Sequence, residues 1–187
     1  MAVSITSNEN ISSFLTNVGL ITSNGPFGHN VMACEWTHQI SYDPPLIVLA
    51  IRDYKTTYKN IIESKEFGIN IAADDQTVFS AVSGNRSGKD VDKIKMLEEL
   101  GFAFVKAKHI NTLMVKGASA NIECRLVETI DIGDHPLLVG EIVSFRESGK
   151  SPLVYHQSKY WHVGKHIEKP GKEVLKKIQR LHQKYIK

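Results

Sequence analysis

Apolar and polar positions along this 187-residue chain change their period about half-way. Val18 to Ser23 (VGLITS) is short and β-branched and runs into Asn24-Gly25-Pro26, a strong turn signal. Asn30 to Trp36 (NVMACEW) reads as a second strand, which predicts a hairpin over 18–36. Asp43-Pro44-Pro45 breaks the chain before Leu46 to Ile51, an unbroken apolar run that predicts a strand covered on both sides. Asp53 or Thr56 can cap a helix running to about Ser64, with Tyr58, Ile61 and Ile62 on one face. Phe67 to Ile71 predicts another strand. Asp74 and Asp75 can cap the next helix, in which Val78, Phe79 and Val82 share a face. Residues 91–100 fit a further amphipathic helix closed by Gly101, with Ile94, Leu97 and Glu98 at helical spacing.

The second half favours strands: Ala118 to Glu128, Leu137 to Glu147, and shorter pieces at Leu153–Val154 and Tyr160–Val163. Strands in antiparallel-compatible order with a few inserted helices argue against a doubly wound parallel sheet. The expected fold is α+β, mainly β: an antiparallel split β-barrel with inserted helices. After the break at Lys169-Pro170-Gly171, Val174, Ile178, Leu181 and Tyr185 recur at intervals of four, three and four, which predicts a terminal amphipathic helix. The expected organisation is one domain over residues 1–164 and a basic helical extension over 165–187.

Charge sharpens that division. The formal net charge of +3 is the sum of +6 on residues 165–187 and −3 on the rest. The basic character belongs to the tail. No aromatic interleaving or recognition motif accompanies it, which argues against a nucleic-acid function. Cys34 and Cys124 lie ninety positions apart, so neither a disulfide framework nor a Cys-x-x-Cys metal knuckle is expected. Residues 1–10 carry no basic region or apolar block of a leader, and no apolar run approaches a bilayer span. The expectation is a cytoplasmic protein without a membrane partner.

Familiar chemical motifs fail. Gly84 to Asp90 (GNRSGKD) has three residues between its glycines where a nucleotide loop needs four, and Asp90 follows the lysine where Ser or Thr should. It can still hold a phosphate through Ser83, Lys89 and backbone donors, or serve as a solvated loop. There is no Gly-x-Gly-x-x-Gly and no Gly-x-Ser-x-Gly. His162 and His166 are four apart but lack an acidic partner between them, so no metal site is expected.

The order of the remaining blocks is more specific than any one of them. Asn30-Val31-Met32-Ala33-Cys34-Glu35-Trp36, Ser41-Tyr42-Asp43-Pro44-Pro45-Leu46-Ile47, Arg52 and Thr56-Thr57 come first. Glu66-Phe67-Gly68-Ile69-Asn70, Ala120 to Cys124, and Gly133-Asp134-His135-Pro136-Leu137 running to Ile142 follow. Together, over about residues 14–164, they resemble the flavin reductase-like family of FMN-binding split barrels, flavoredoxins and ferric reductases among them. The resemblance implies a homodimer with FMN near the subunit interface. It implies that Asn30, Val31, Met32, Ala33, Cys34, Glu35, Trp36 and Thr37 run along the flavin, and that Arg52, Thr56, Thr57, Ser83 and Lys89 serve its phosphate. His135 becomes the candidate for chemistry. Read without the resemblance, 30–37 is an ordinary barrel strand with Trp36 in the core, Thr56 or Thr57 a helix cap, and His135 a turn residue beside Asp134. A sulfur beside flavin at Cys34 could take a soft metal; an apolar-flanked lone cysteine is otherwise inert.

The implied activity is an NAD(P)H-dependent oxidoreductase, passing electrons from NADH or NADPH through FMN to free flavin, ferric iron or a protein acceptor. Two alternatives stand beside it: a flavoredoxin-like electron carrier that oxidises no NAD(P)H, and a basic-tail protein that binds nucleic acid or an acidic partner.

Overall fold

The computed structural model describes residues 14–186; the stretch read for a leader, residues 1–10, lies outside them. Seven strands form one antiparallel sheet: β2 (Gly19–Ser23), β3 (Asn30–Cys34), β4 (Thr37–Tyr42), β5 (Pro45–Ala50), β6 (Glu66–Ile71), β9 (Ala120–Ile130) and β10 (Leu137–Glu147). Their order is β3-β2-β6-β9-β10-β5-β4. β3 and β4 are therefore the two edges, yet only Glu35 and Trp36 join them. Six strand spacings of about 4.8 Å would hold the edges of a flat sheet roughly 29 Å apart, and two residues span about 7 Å. The sheet must curl until its edges meet at that corner, where Ala50 N donating to Trp36 O at 3.0 Å continues the β4-β5 pairing. This is the expected open barrel.

Alternation fills it. Ile21, Cys34, Ile47, Leu49, Phe67, Ile69, Ile122, Cys124 and Leu138 pack inside, and α1 (Thr56–Ser64) closes the core with Ile61. Gly140 makes room for Phe67, since a Cβ there would run into the Phe67 ring. A second cluster forms on the outside of β2 and β3. There Leu20 and Val31 meet Phe79 of α2 (Thr77–Asn85) and Ile94 and Leu97 of α3 (Lys93–Glu99). Phe102 and Phe104 stand edge-on to Phe79 at 5.2 and 5.5 Å. Because β2 separates the two clusters, all five of its residues are buried. Asn70 ties the layers, donating to Leu20 O at 2.7 Å and accepting from Val115 N at 2.9 Å.

Several expectations are corrected. Neither Asp53 nor Thr56 caps α1; its N-cap is Lys55, with no side-chain cap, so Thr56 and Thr57 are its first two residues. Gln76, not Asp74 or Asp75, precedes α2, and Val78 is half exposed while Phe79 and Val82 turn inward. β5 is covered on one side only: Ile47 and Leu49 are buried, whereas Leu46, Val48 and Ala50 are half-buried. β4 carries no alternation to find, because THQISY lies mostly in the open. β1 (Thr16–Asn17), β7 (Phe104–Lys106) and β8 (Leu113–Val115) are too short for a period, whereas β11 (Val154–His156) and β12 (Lys159–Trp161) overlap the short pieces expected there. The expected tail helix is α4 (Lys172–Lys184), none of whose residues is buried.

Candidate functional site

β3 is the backbone of the site. As an edge strand it pairs only with β2, so alternate backbone N–H and C=O groups face away from the sheet. At one end, Asn30 is buried and donates from Nδ2 to Thr57 Oγ1 at 2.8 Å. Thr56 and Thr57 are buried in the first turn of α1, whose free N–H groups no side chain caps. The 86–92 loop presses on Asn30 so closely that Gly88 has no room for a Cβ. A cavity of about 500 Å³ opens there, lined by Gly28, His29, Asn30, Gly88 and Lys89 among others.

Beside this end sits a residue that sequence reasoning missed. Lys93, 3% exposed, donates from Nζ to Ser83 O at 3.3 Å. Burial first, then repulsion by Lys55, lower its pKa from 10.5 to about 8. The Ser83 hydroxyl, fully buried, has no hydrogen-bond partner. A buried cation, a second cation near it, an unpartnered hydroxyl and an uncapped helix N-terminus form a donor set without an acceptor. Such a set fits a phosphate dianion. The signal for Lys93 was present in the sequence: it lies four residues before Leu97, on the apolar stripe of α3.

At the other end, Cys34 points into the barrel. Its thiol donates weakly to Trp36 O and Ala50 O, and burial pushes its pKa up. Only its backbone is left to line a site, and the soft-metal reading loses its sulfur. Met32 joins the barrel core, Val31 and Ala33 the second cluster, and Glu35 is exposed at the corner. The Thr37 hydroxyl is buried beside Gly19 and the Cys34 thiol. Trp36 is not core; it is half exposed and stands edge-on to His135, ring centroids 4.6 Å apart.

His135 is held on both nitrogens. Nδ1 meets Asp134 Oδ1 at 2.7 Å, and Arg52 Nε donates to Nε2 at 3.2 Å. Because Arg52 can only donate, Nε2 is the acceptor and Nδ1 carries the proton, a neutral ring. Arg52 also pairs with Asp134 at 3.0 Å and reaches the Tyr54 hydroxyl at 3.3 Å. The hydrogen bond from His135 is the chief cause that lowers the Asp134 pKa. Each nitrogen of Arg52 thus serves this cluster, which sets Arg52 apart from Thr56, Thr57, Ser83 and Lys89 at the Asn30 end. His162 and His166 face separate carboxylates, Asp74 and Glu168. No group of three or more metal-ligating side chains occurs among the described residues.

Residues 11–164 match the model of the flavin reductase like domain. The chain belongs to this family. It is 31% identical, over 68% of its length and 74% of the other's, to an uncharacterised protein of Pyrococcus abyssi. It is 26% identical to the FMN reductase (NADH) SmoA of Agrobacterium fabrum, over 78% of each. It is 28% identical over 80% of its length to the reductase component of a flavin-dependent trigonelline monooxygenase of Acinetobacter baylyi, but spans only 46% of that protein. The flavoredoxin of Methanosarcina acetivorans shares the fold, with a TM-score of 0.78 at 24% identity over 92% of this chain and 96% of that one. The family region ends before α4 begins.

Proposed function

We propose that this family member is an FMN-dependent oxidoreductase that takes electrons from NADH or NADPH and passes them to free flavin, ferric iron or a protein acceptor. The carrying observation is the donor set at the Asn30 end of the unpaired β3 edge, where the buried Lys93, the unpartnered Ser83 hydroxyl and the uncapped start of α1 suit a phosphate. Asn30 to Trp36 covers roughly 20 Å at about 3.3 Å per residue, a length suited to a flavin with its ribityl phosphate. Lys93, Lys89, Ser83, Thr56 and Thr57 hold the phosphate. The free amides and carbonyls of 30–37 and the Thr37 hydroxyl hold the polar edge of the ring.

Bound flavin supplies two-electron exchange between a nicotinamide and the acceptor. The chain's own work is positional. Asp134 and Arg52 fix His135 as a neutral ring, Trp36 fixes its tilt, and the two inclined rings form a corner against which a nicotinamide can lie. The SmoA name supports NADH and FMN; the Acinetobacter name supports an oxygenase-type acceptor. No described helix is long and apolar enough to cross a membrane, and a cytoplasmic setting completes the reading. A homodimer belongs to it too. The helices α1, α2 and α3 pack near β2 and β3, leaving the half-buried Leu46, Val48 and Ala50 without a covering layer.

The deciding experiment is anaerobic mixing of the FMN-loaded protein with NADH and with NADPH. Rapid loss of the visible flavin absorbance with either nucleotide supports the enzyme. Tight FMN binding without bleaching by either would replace it with the electron carrier, and no FMN binding would overturn both.

A further inference from the structure

The C-terminal helix is well specified and yet used by nothing in its own chain. Glu173 in the first turn and His182 and Lys184 in the last suit the helix dipole. Val174, Ile178, Leu181 and Tyr185 form one stripe, with Lys172, Lys176 and Arg180 on the far side and Lys177 and Lys184 bordering it. All four stripe residues are exposed, and residues 162–171 leading to the helix are exposed throughout. A lone thirteen-residue helix is marginal in water, so its stability depends on covering that stripe.

The barrel offers a surface of matching character. β5 and β10 pair with Leu46 opposite Glu141, Val48 opposite Val139 and Ala50 opposite Leu137. Since Leu49 and Leu138 point into the core, these three pairs form the outer face. β9 adds Glu128 and Ile130, and Ile40, at the irregularity of β4, stands exposed beside them. The face is thus an apolar strip, with Val139 at its centre already buried, that carries Glu128 and Glu141, the latter opposite Arg125. Six residues of β5 extend about 20 Å and thirteen helical residues about 20 Å, so one helix spans the strip. Charge favours the meeting, because residues 165–187 carry +6 and the rest of the chain −3.

We propose that α4 of one copy lays its stripe across the outer β5-β10 face of a second copy, which returns its own α4 in exchange. Lys177 and Lys184 then border Glu128 and Glu141. Reciprocal exchange closes as a two-fold dimer and leaves no helix over. This rests on the homodimer reading above and adds what holds the dimer together.

The test uses two full-length chains, one tagged and carrying Ile178→Cys, the other untagged and carrying Ile130→Cys. Native Cys34 and Cys124 are buried and do not compete. After mixing and mild oxidation, the tagged chain should retain the untagged one through a disulfide. A chain that sediments as a dimer but gives no mixed disulfide overturns the arm exchange and spares the dimer; a monomer overturns both. In addition, the double change Ile178→Glu with Leu181→Glu should weaken dimerisation by about tenfold or more. At a chain concentration where both proteins are dimeric, FMN bound per chain should stay the same. An unchanged dimer constant overturns the proposal, as does flotation of the unaltered protein with phosphatidylglycerol-containing vesicles in place of dimer formation.

Discussion

Lys93 is an unusual first residue for a helix: a cation at the positive end of α3, 3% exposed, with a second cation near it. With its pKa lowered to about 8, the folded chain without ligand sheds a proton that the unfolded chain keeps up to about 10.5. Stability should therefore rise with pH across that window and carry the full cost of the buried charge below it, on the order of 3 kcal/mol. Urea unfolding of FMN-free protein at several pH values measures this. Lys93→Met should make the FMN-free protein more stable at pH 7 while weakening FMN binding by about tenfold or more, a charge-assisted bond's worth. A variant that loses stability along with FMN affinity would make Lys93 structural. FMN binding near pH 8 should also take up protons, visible as a buffer-dependent heat in calorimetry. At His135 the expectation differs. Arg52→Met frees Nε2 and the ring, and should slow bleaching by NADH by about tenfold with FMN affinity within about twofold, since Arg52 is committed to Asp134 and His135. An Arg52→Met protein that mainly loses FMN would return the guanidinium to the phosphate.

At the scale of elements, the barrel depends on places where a side chain is missing. Gly140→Ala should cost about 1–3 kcal/mol, because the methyl group meets the Phe67 ring within a packed core. A denaturation midpoint unchanged from the parent protein would mean that Phe67 has room to move. The strands that could be read from sequence were those whose two sides differ or are both apolar: β2, β3, β5, β6, β9 and β10. β4 was missed because both its sides are wet, and β1, β7 and β8 are too short to show a period, while β11 and β12 overlap the short pieces expected at Leu153–Val154 and Tyr160–Val163. Asp53, Asp74 and Asp75 failed as caps because capping is decided by where the chain turns. The residue type alone only makes a cap possible.

For the whole molecule, the tail and the barrel are separate in charge and in burial. Cutting after residue 164 removes no buried side chain of α4, so the shortened chain should keep its folded core and its FMN site. Its unfolding midpoint at high dilution should match that of the full chain, while its dimer dissociation constant rises. Sedimentation and thermal scans over a concentration series check both. A drop in the dilute midpoint would mean that the tail supports its own barrel.

The sequence by itself determined most of the strand and helix inventory of the core, the family, and the division between an acidic body and a basic helix. These are local properties: period, turn chemistry and charge are carried by neighbours along the chain. Only the tertiary structure decided that Arg52 goes to Asp134 and His135, that Cys34 turns inward, and that Lys93 joins Ser83. Those pairings close loops of 83 residues for Arg52–His135 and 10 for Lys93–Ser83. The first follows from how the sheet curls when β3 and β4 meet at Glu35 and Trp36, a property of seven strands together, and the second from how α2 and α3 pack against β3 and each other.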